Sequence, residues 1–215
     1  MRSNFRNDWY VSQEWFDLEQ KEIFSKYWIF ACLKFMVDEP NRFVTREIAG
    51  VPIVIQNFDG ELRAFRNICL HRQHRLQSED FGTRRLVCHY HGWRYNSDGG
   101  LASVPLEDVY YSLDAKESCA RLEGFHLRVI GQYVFINLDP NPLPIEKQFG
   151  PSLIADLEST SESFGREVLI SKIVCNFNWK LIYETLRDSI HPALHPSEDA
   201  DQGCAMRSRS HSLRL

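Results

Sequence analysis

Cys69 and His71 stand as Cys-x-His, and after sixteen intervening residues Cys88 and His91 stand as Cys-x-x-His. Thiolate sulfur and imidazole nitrogen are both metal donors, and each short pair can reach inward from one loop tip. Two irons bridged by two sulfides need four protein ligands. Two thiolates on one iron and two neutral imidazoles on the other give a one-electron centre whose potential lies well above that of an all-cysteine cluster. A structural zinc ion is the rival occupant, but zinc sites usually pair Cys with Cys and His with His along the chain. The mixed pairs therefore favour the paired-iron centre. Their flanks read Arg66-Asn67-Ile68-Cys69-Leu70-His71-Arg72 and Cys88-His89-Tyr90-His91-Gly92-Trp93-Arg94-Tyr95.

These residues resemble the Rieske domain in the alpha, or large, subunit of ring-hydroxylating oxygenases. A second stretch, Asn178 to His195, carries the resemblance further. It has the Asn178-Trp179-Lys180 start, a Glu184-Thr185 pair where the family often has Glu-Asn, and then Asp188, His191 and His195. The resemblance implies that His191 and His195 bind a mononuclear Fe(II), a site that typically uses two His and one carboxylate and leaves positions open for oxygen. It also implies that Asp188 is catalytic, as an acid standing between the Rieske histidine of one subunit and the iron-binding histidine of the next. If Glu184 to His191 is helical, Asp188 and His191 share a face at i and i+3.

Besides Thr185, the histidine spacing and the missing carboxylate ligand depart from the family pattern. Three residues, Pro192 to Leu194, separate His191 from His195, where the family usually has four; the missing residue turns the second imidazole by about 100° on an ideal helix. Pro192 itself interrupts a helix. The family's carboxylate ligand lies far downstream, and the resemblance assigns that role to none of Glu198, Asp199 and Asp201. The chain of 215 residues is thus expected to be a C-terminally truncated alpha subunit with an incomplete iron site.

What the resemblance implies for function is a Rieske-type oxygenase component. A flavin-dependent reductase, a ferredoxin or both would supply electrons, and O2 would be used at the mononuclear iron to hydroxylate a small aromatic substrate, possibly an aromatic acid. Full-length family members form homotrimers or alpha-beta hetero-oligomers. The alternative is an electron-transfer Rieske [2Fe-2S] module whose mononuclear site is vestigial.

Composition agrees with a globular protein, at 43% hydrophobic and 25% charged residues with a net charge of -4. Nothing in that balance points to nucleic acid or an anionic membrane as partner. The start lacks an apolar signal core, and Trp28 to Val37, broken by Lys34, is too short to span a bilayer; a cytoplasmic protein is expected. Six cysteines in that compartment argue against disulfides. Cys32, Cys119 and Cys175 read as small core side chains, and Cys204 lies in a polar tail.

The elements that must position the donors read as an α+β fold: an N-terminal helical segment (1–38), an antiparallel β Rieske domain (39–145) and the start of an incomplete α+β catalytic domain (146–215). Apolar residues at helical spacing predict an amphipathic helix over 12–29. Short β runs follow at Val44 to Ile48, Val51 to Phe58 and Leu62 to Phe65, the last pair joined by the Asp59-Gly60 turn. Leu127 to Ile130 and Tyr133 to Leu138 pair across Gly131. A proline-rich boundary at Pro140 to Pro144 precedes a short helix over Ile145 to Leu157, a strand over Glu167 to Phe177, and a helix from Trp179. After Pro196 the polar tail reads as disordered. His74, His89, His126 and His211 lie outside the ligand spacing and read as ordinary polar positions, and Trp93 packs over the ligand loops.

Overall fold

The computed structural model describes residues 6–110, 120–188 and 209–213. Two compact units divide the chain, one spanning Leu18–Phe164 and the other combining Met1–Asp17 with Gly165–Leu215.

The larger unit is built on a seven-stranded antiparallel sheet. Its strands are β1 (Ile29–Leu33), β2 (Arg42–Ile48), β3 (Val51–Phe58), β4 (Glu61–Arg66), β5 (Phe81–Thr83), β8 (Gly124–Ile130) and β9 (Tyr133–Asn137), in the order β1-β9-β8-β4-β3-β2-β5. Two short strands, β6 (Arg94–Tyr95) and β7 (Leu101–Ser103), form a separate hairpin, followed by the single turn α3 (Glu107–Tyr110). The tight turns have chemical causes. Ala49 and Gly50 join β2 to β3, and Asp59 and Gly60 join β3 to β4, all four at positive φ. That is the two-residue hairpin geometry whose twist matches the strands.

β3 is buried continuously from Ile53 to Asn57 rather than on alternate residues, as expected of a central strand covered on both faces. On one side Phe43, Val54, Phe65, Leu76, Leu86 and Trp93 form a core that also encloses Cys69 and Cys88. A second cluster sets Trp28, Ile130 and Phe135 against Ile145, Phe149 and Leu157 of α4 (Ile145–Ser161). Gln148 fixes this contact by accepting from the Trp28 N–H at 2.8 Å and donating to the Trp28 carbonyl at 3.0 Å. α4 runs past the expected Leu157 end but is broken at Gly150, where φ is +73° ahead of Pro151.

In the smaller unit α1 (Asp8–Val11) and the first part of α2 (Gln13–Glu19) accompany the antiparallel pair of β10 (Val168–Lys172) with β11 (Arg209–Leu213) and helix α5 (Trp179–Arg187). Asn178 caps α5, its Oδ1 accepting the Lys180 N–H at 3.1 Å, which satisfies one of the orphan donors of the first turn. The Tyr10 hydroxyl donates to Glu184, and the Lys180 ammonium lies 5.5 Å from the Tyr10 ring centroid.

Several local expectations are corrected. The segment 12–29 is helical only to Phe24, its last turn being a π-helix over Gln20–Phe24, and Ile29–Leu33 joins the sheet as β1 because β9 offers it a pairing edge. The strand over 167–177 shortens to Val168–Lys172. Cys175 is exposed rather than in a core, and Cys119 and Cys204 lie outside the described residues. Cys32, Cys69, Cys88 and Cys175 are free thiols.

Burial pushes the Cys32 thiol up to about 12, which sets a pH dependence. An unfolded thiol ionises from about pH 8.5, whereas the folded one stays protonated until about 12. Between these values the folded state binds the extra proton, so stability falls as pH rises, by about 1.4 kcal/mol per pH unit. Urea melts at pH 9 and pH 11 are expected to show this extra loss in the wild type and not in Cys32→Ala; equal losses in both would refute it.

Candidate functional site

The two donor pairs sit on two loops that share one backbone pattern. In the first, between β4 and β5, the Cys69 N–H donates to the His74 carbonyl at 2.8 Å and the Gln73 N–H to the Cys69 carbonyl at 3.0 Å. In the second, leading into β6, the Cys88 N–H donates to the Trp93 carbonyl at 2.8 Å and the Gly92 N–H to the Cys88 carbonyl at 2.9 Å. The residue four after each cysteine is left-handed, Gln73 at φ 56° and Gly92 at φ 72°. One folded turn, used twice, therefore presents a cysteine at its start and a histidine near its apex.

The turns bring like donors together. The His71 and His91 ring centroids lie 4.7 Å apart, and the Cys88 thiol lies within interaction range of Cys69. Cys69 and Cys88 are 1% and 2% exposed, while both imidazoles are partly exposed. Among the described residues no three or more His, Cys, Asp or Glu side chains gather as around a single metal ion. A closed zinc site would want four ligands converging on one point, whereas a binuclear centre asks for two protein donors per metal. The residues present fit a [2Fe-2S] cluster.

Electrostatics prepare the donors differently. Burial is the main cause pushing the Cys69 thiol up, with the Tyr95 hydrogen bond and the His71 backbone working against it; metal binding must therefore displace a proton there. The His71 imidazole is held down by burial first, then by His91 and Arg72, which favours the neutral ring a metal needs. Trp93 stacks on His71 at 4.8 Å with the planes 5° apart, fixing the ring's orientation. Tyr95, 4% exposed, places its hydroxyl 3.2 Å from Cys69 Sγ and accepts the Leu70 N–H at 3.0 Å.

The remaining expected site residues fare unevenly. His74 and His89 are exposed, and His74 Nδ1 lies 2.7 Å from the Arg75 carbonyl. α5 ends at Arg187, and Asp188 is already extended at φ -77°, ψ 98°. Asp188 therefore does not extend the face of α5. His191, His195, Glu198, Asp199 and Asp201 lie outside the described residues.

Residues 27–115 match the Rieske [2Fe-2S] domain family. Such a domain binds a [2Fe-2S] cluster, in keeping with the four donors just described. Beyond that domain the chain is a relative of the oxygenase subunits of Rieske oxygenases. It is 33% identical, over 85% of its length and 42% of the relative's, to the glycine betaine monooxygenase oxygenase subunit of Pseudomonas aeruginosa. It is 32% identical, over 78% of its length and 38% of the relative's, to the large oxygenase component of the naphthalene 1,2-dioxygenase system of Pseudomonas putida. A crystal structure of a quaternary ammonium Rieske monooxygenase superposes with a TM-score of 0.78 at 30% identity, covering 91% of this chain and 55% of that one. The chain thus spans about half, or less, of the lengths of these proteins. No helix among the described residues is long and apolar enough to cross a membrane.

Tyr95 flanks the second donor pair in the sequence, and its position in the fold gives it a task. A hydrogen bond to a ligand sulfur stabilises the more negative, reduced centre and so raises its potential. Tyr95→Phe is expected to lower the midpoint potential by tens of millivolts, since about 59 mV corresponds to a tenfold change for one electron. A redox titration with an unchanged midpoint would remove that role.

Proposed function

We propose that this chain is the oxygenase component of a Rieske-type system. Cys69 and Cys88 hold one iron of the cluster as thiolates, and His71 and His91 hold the other as neutral imidazoles. The reading is supported above all by the pairing of like donors on two matching turns, with the imidazole rings 4.7 Å apart and the thiols buried beside each other. When bound, such a cluster accepts and releases single electrons at moderate potential. Trp93 keeps the His71 ring in one orientation, the Tyr95 hydroxyl, 3.2 Å from Cys69 Sγ, would donate to that sulfur once it is a thiolate, and the surrounding core keeps water from the sulfur side.

The rest of the reaction rests on the resemblance of residues 178–195. His191 and His195 would supply the nitrogen ligands of a mononuclear Fe(II) at which O2 is used. Asp188 would accept an imidazole N–H and so orient the ring between the two metal centres, across subunits of an oligomer. Electrons would come from a flavin-dependent reductase, a ferredoxin or both, in the cytoplasm. The substrate class is read from the relatives. A quaternary ammonium compound of the betaine type is favoured over the aromatic ring, because the first relative and the solved structure described above are named for that chemistry. Hydroxylation next to the substituted nitrogen, or on a ring, is the reaction class.

Iron and acid-labile sulfide per chain in anaerobically prepared protein provide the test. Three irons with two sulfides are expected for an oxygenase, whereas two of each would mark an electron carrier and overturn the oxygenase reading. In a single-turnover assay with glycine betaine, carnitine and benzoate, Asp188→Ala is expected to abolish product while leaving the cluster's paramagnetic resonance unchanged. Turnover equal to wild type would dismiss the bridging role.

A further inference from the structure

Beneath the two turns lies a polar network that the proposed reaction does not use. Gln56 of β3, Asn67 just before the first turn and Gln77 just after it are at most 0% exposed. Asn67 Nδ2 donates to the Gln77 carbonyl at 2.7 Å, and Asn67 Oδ1 accepts the Gln77 N–H at 2.9 Å. Gln77 Nε2 donates to Gln56 Oε1 at 3.1 Å, and Gln56 Nε2 donates to the Arg84 carbonyl at 2.9 Å. Arg84 closes the circuit, its Nε donating to Gln77 Oε1 at 2.9 Å and its Nη2 to the same oxygen and to the Leu76 carbonyl. A buried network with its amides satisfied is rigid. This one joins three segments: a central strand, the first donor loop and the approach to Cys88.

What the network holds is a cation. These Arg84 hydrogen bonds go to neutral oxygens, which leave its charge uncancelled, and a partly buried guanidinium so placed is an unfavourable arrangement without a negative group nearby. Geometry places that charge beside the donors: Arg84 Nη2 donates to the carbonyl of Leu76, which packs in the same core as Cys69 and Cys88, and the attraction that opposes the cost of burying the guanidinium comes first from Cys88 and then from Glu79. With two ferric ions, two sulfides and two thiolates the formal charges of the cluster cancel, and one added electron leaves it at minus one. A fixed cation therefore interacts more favourably with the reduced form than with the oxidised form.

We propose that Arg84, immobilised by the Asn67–Gln77–Gln56 amide network, is the built-in counter-charge of the cluster and biases it toward its reduced state. The proposal rests on the cluster reading given above. It makes Arg84 a positioning residue that acts through charge, not a ligand.

The test is a redox titration followed by electron paramagnetic resonance, after iron and sulfide have been counted in each protein. Arg84→Gln is expected to lower the reduction equilibrium constant about tenfold, equivalent to about 60 mV for one electron. Gln77→Glu retains an acceptor at the same place but cancels the charge, and is expected to move the midpoint the same way. Arg84→Lys retains the charge and is expected to stay within about threefold of wild type. Unchanged midpoints in both Arg84→Gln and Gln77→Glu would overturn the proposal, as would an equal fall in Arg84→Lys, which would reduce the residue to a structural tie. If Arg84→Gln fails to load, Gln77→Glu decides; if all three variants fail, including the charge-retaining one, the counter-charge is likewise overturned. Wild-type protein that binds no iron and sulfide sinks the cluster reading, and this proposal with it; a loaded wild type with unshifted variants sinks this proposal alone.

Discussion

Cys88→Ser is expected to give a folded protein that assembles no cluster. A buried thiol can yield a thiolate to iron, but a serine hydroxyl does not ionise near neutral pH and is a harder, weaker donor for this centre. The loss is expected to be nearly complete, with iron and sulfide at background and the visible absorption gone. The same substitution at Cys69 is expected to remove the cluster equally but to disturb the fold less. There the new hydroxyl would find the Tyr95 oxygen, which already stands 3.2 Å from the sulfur. At Cys88, 2% exposed, the new hydroxyl would face the Cys69 thiol, a weak partner, and a poorly satisfied buried hydroxyl costs about 1–3 kcal/mol. Metal analysis and thermal melts of the two variants together check this, and a Cys88→Ser protein with full iron and sulfide would refute the ligand assignment.

Gly92→Ala is expected to cost about 2–5 kcal/mol and to impair cluster loading, for two reasons that add. The backbone is left-handed at φ +72°, which costs an alanine about 1–2 kcal/mol. Its Cβ would also lie 2.8 Å from Pro105 Cγ, and relieving such overpacking costs about 1–3 kcal/mol more. Because Gly92 follows His91 directly and its N–H closes the second turn on Cys88, the strain falls on two proposed ligands at once. The matching position in the first turn provides a control. Gln73 already tolerates φ 56°, and Gln73→Gly is expected to leave stability within about 1 kcal/mol, since easier backbone geometry offsets added chain entropy. Chemical denaturation and iron uptake by the two variants separate these outcomes; a Gly92→Ala protein as stable as wild type would show that the turn can adapt.

Local signals were legible where the physics is local. The spacing of Cys69, His71, Cys88 and His91 is a property of two short loops, and the Asp59-Gly60 and Gly131 turns announce the hairpins around them. Asn178 in front of Trp179 marks the start of α5 for the same reason, a side chain capping its own helix. What could not be read depends on partners distant in sequence. Gln56, Asn67, Gln77 and Arg84 look like scattered polar residues until the sheet brings them together. Gln73 gives no hint that it repeats the conformation of Gly92, because the turn imposes it. The amphipathic pattern over 12–29 was overridden beyond Phe24 when Ile29–Leu33 found an edge on β9. The end of α5 at Arg187 has no glycine or proline to announce it, so Asp188 was placed on a helix it has already left.

The unequal exposure of the donors has a directional consequence. Sulfur is sealed inside the larger unit while the imidazole rings look outward, so a cluster held as proposed has its shortest route to solvent through the histidines. Because tunnelling weakens steeply with distance, a redox partner docked over those rings would exchange charge fastest.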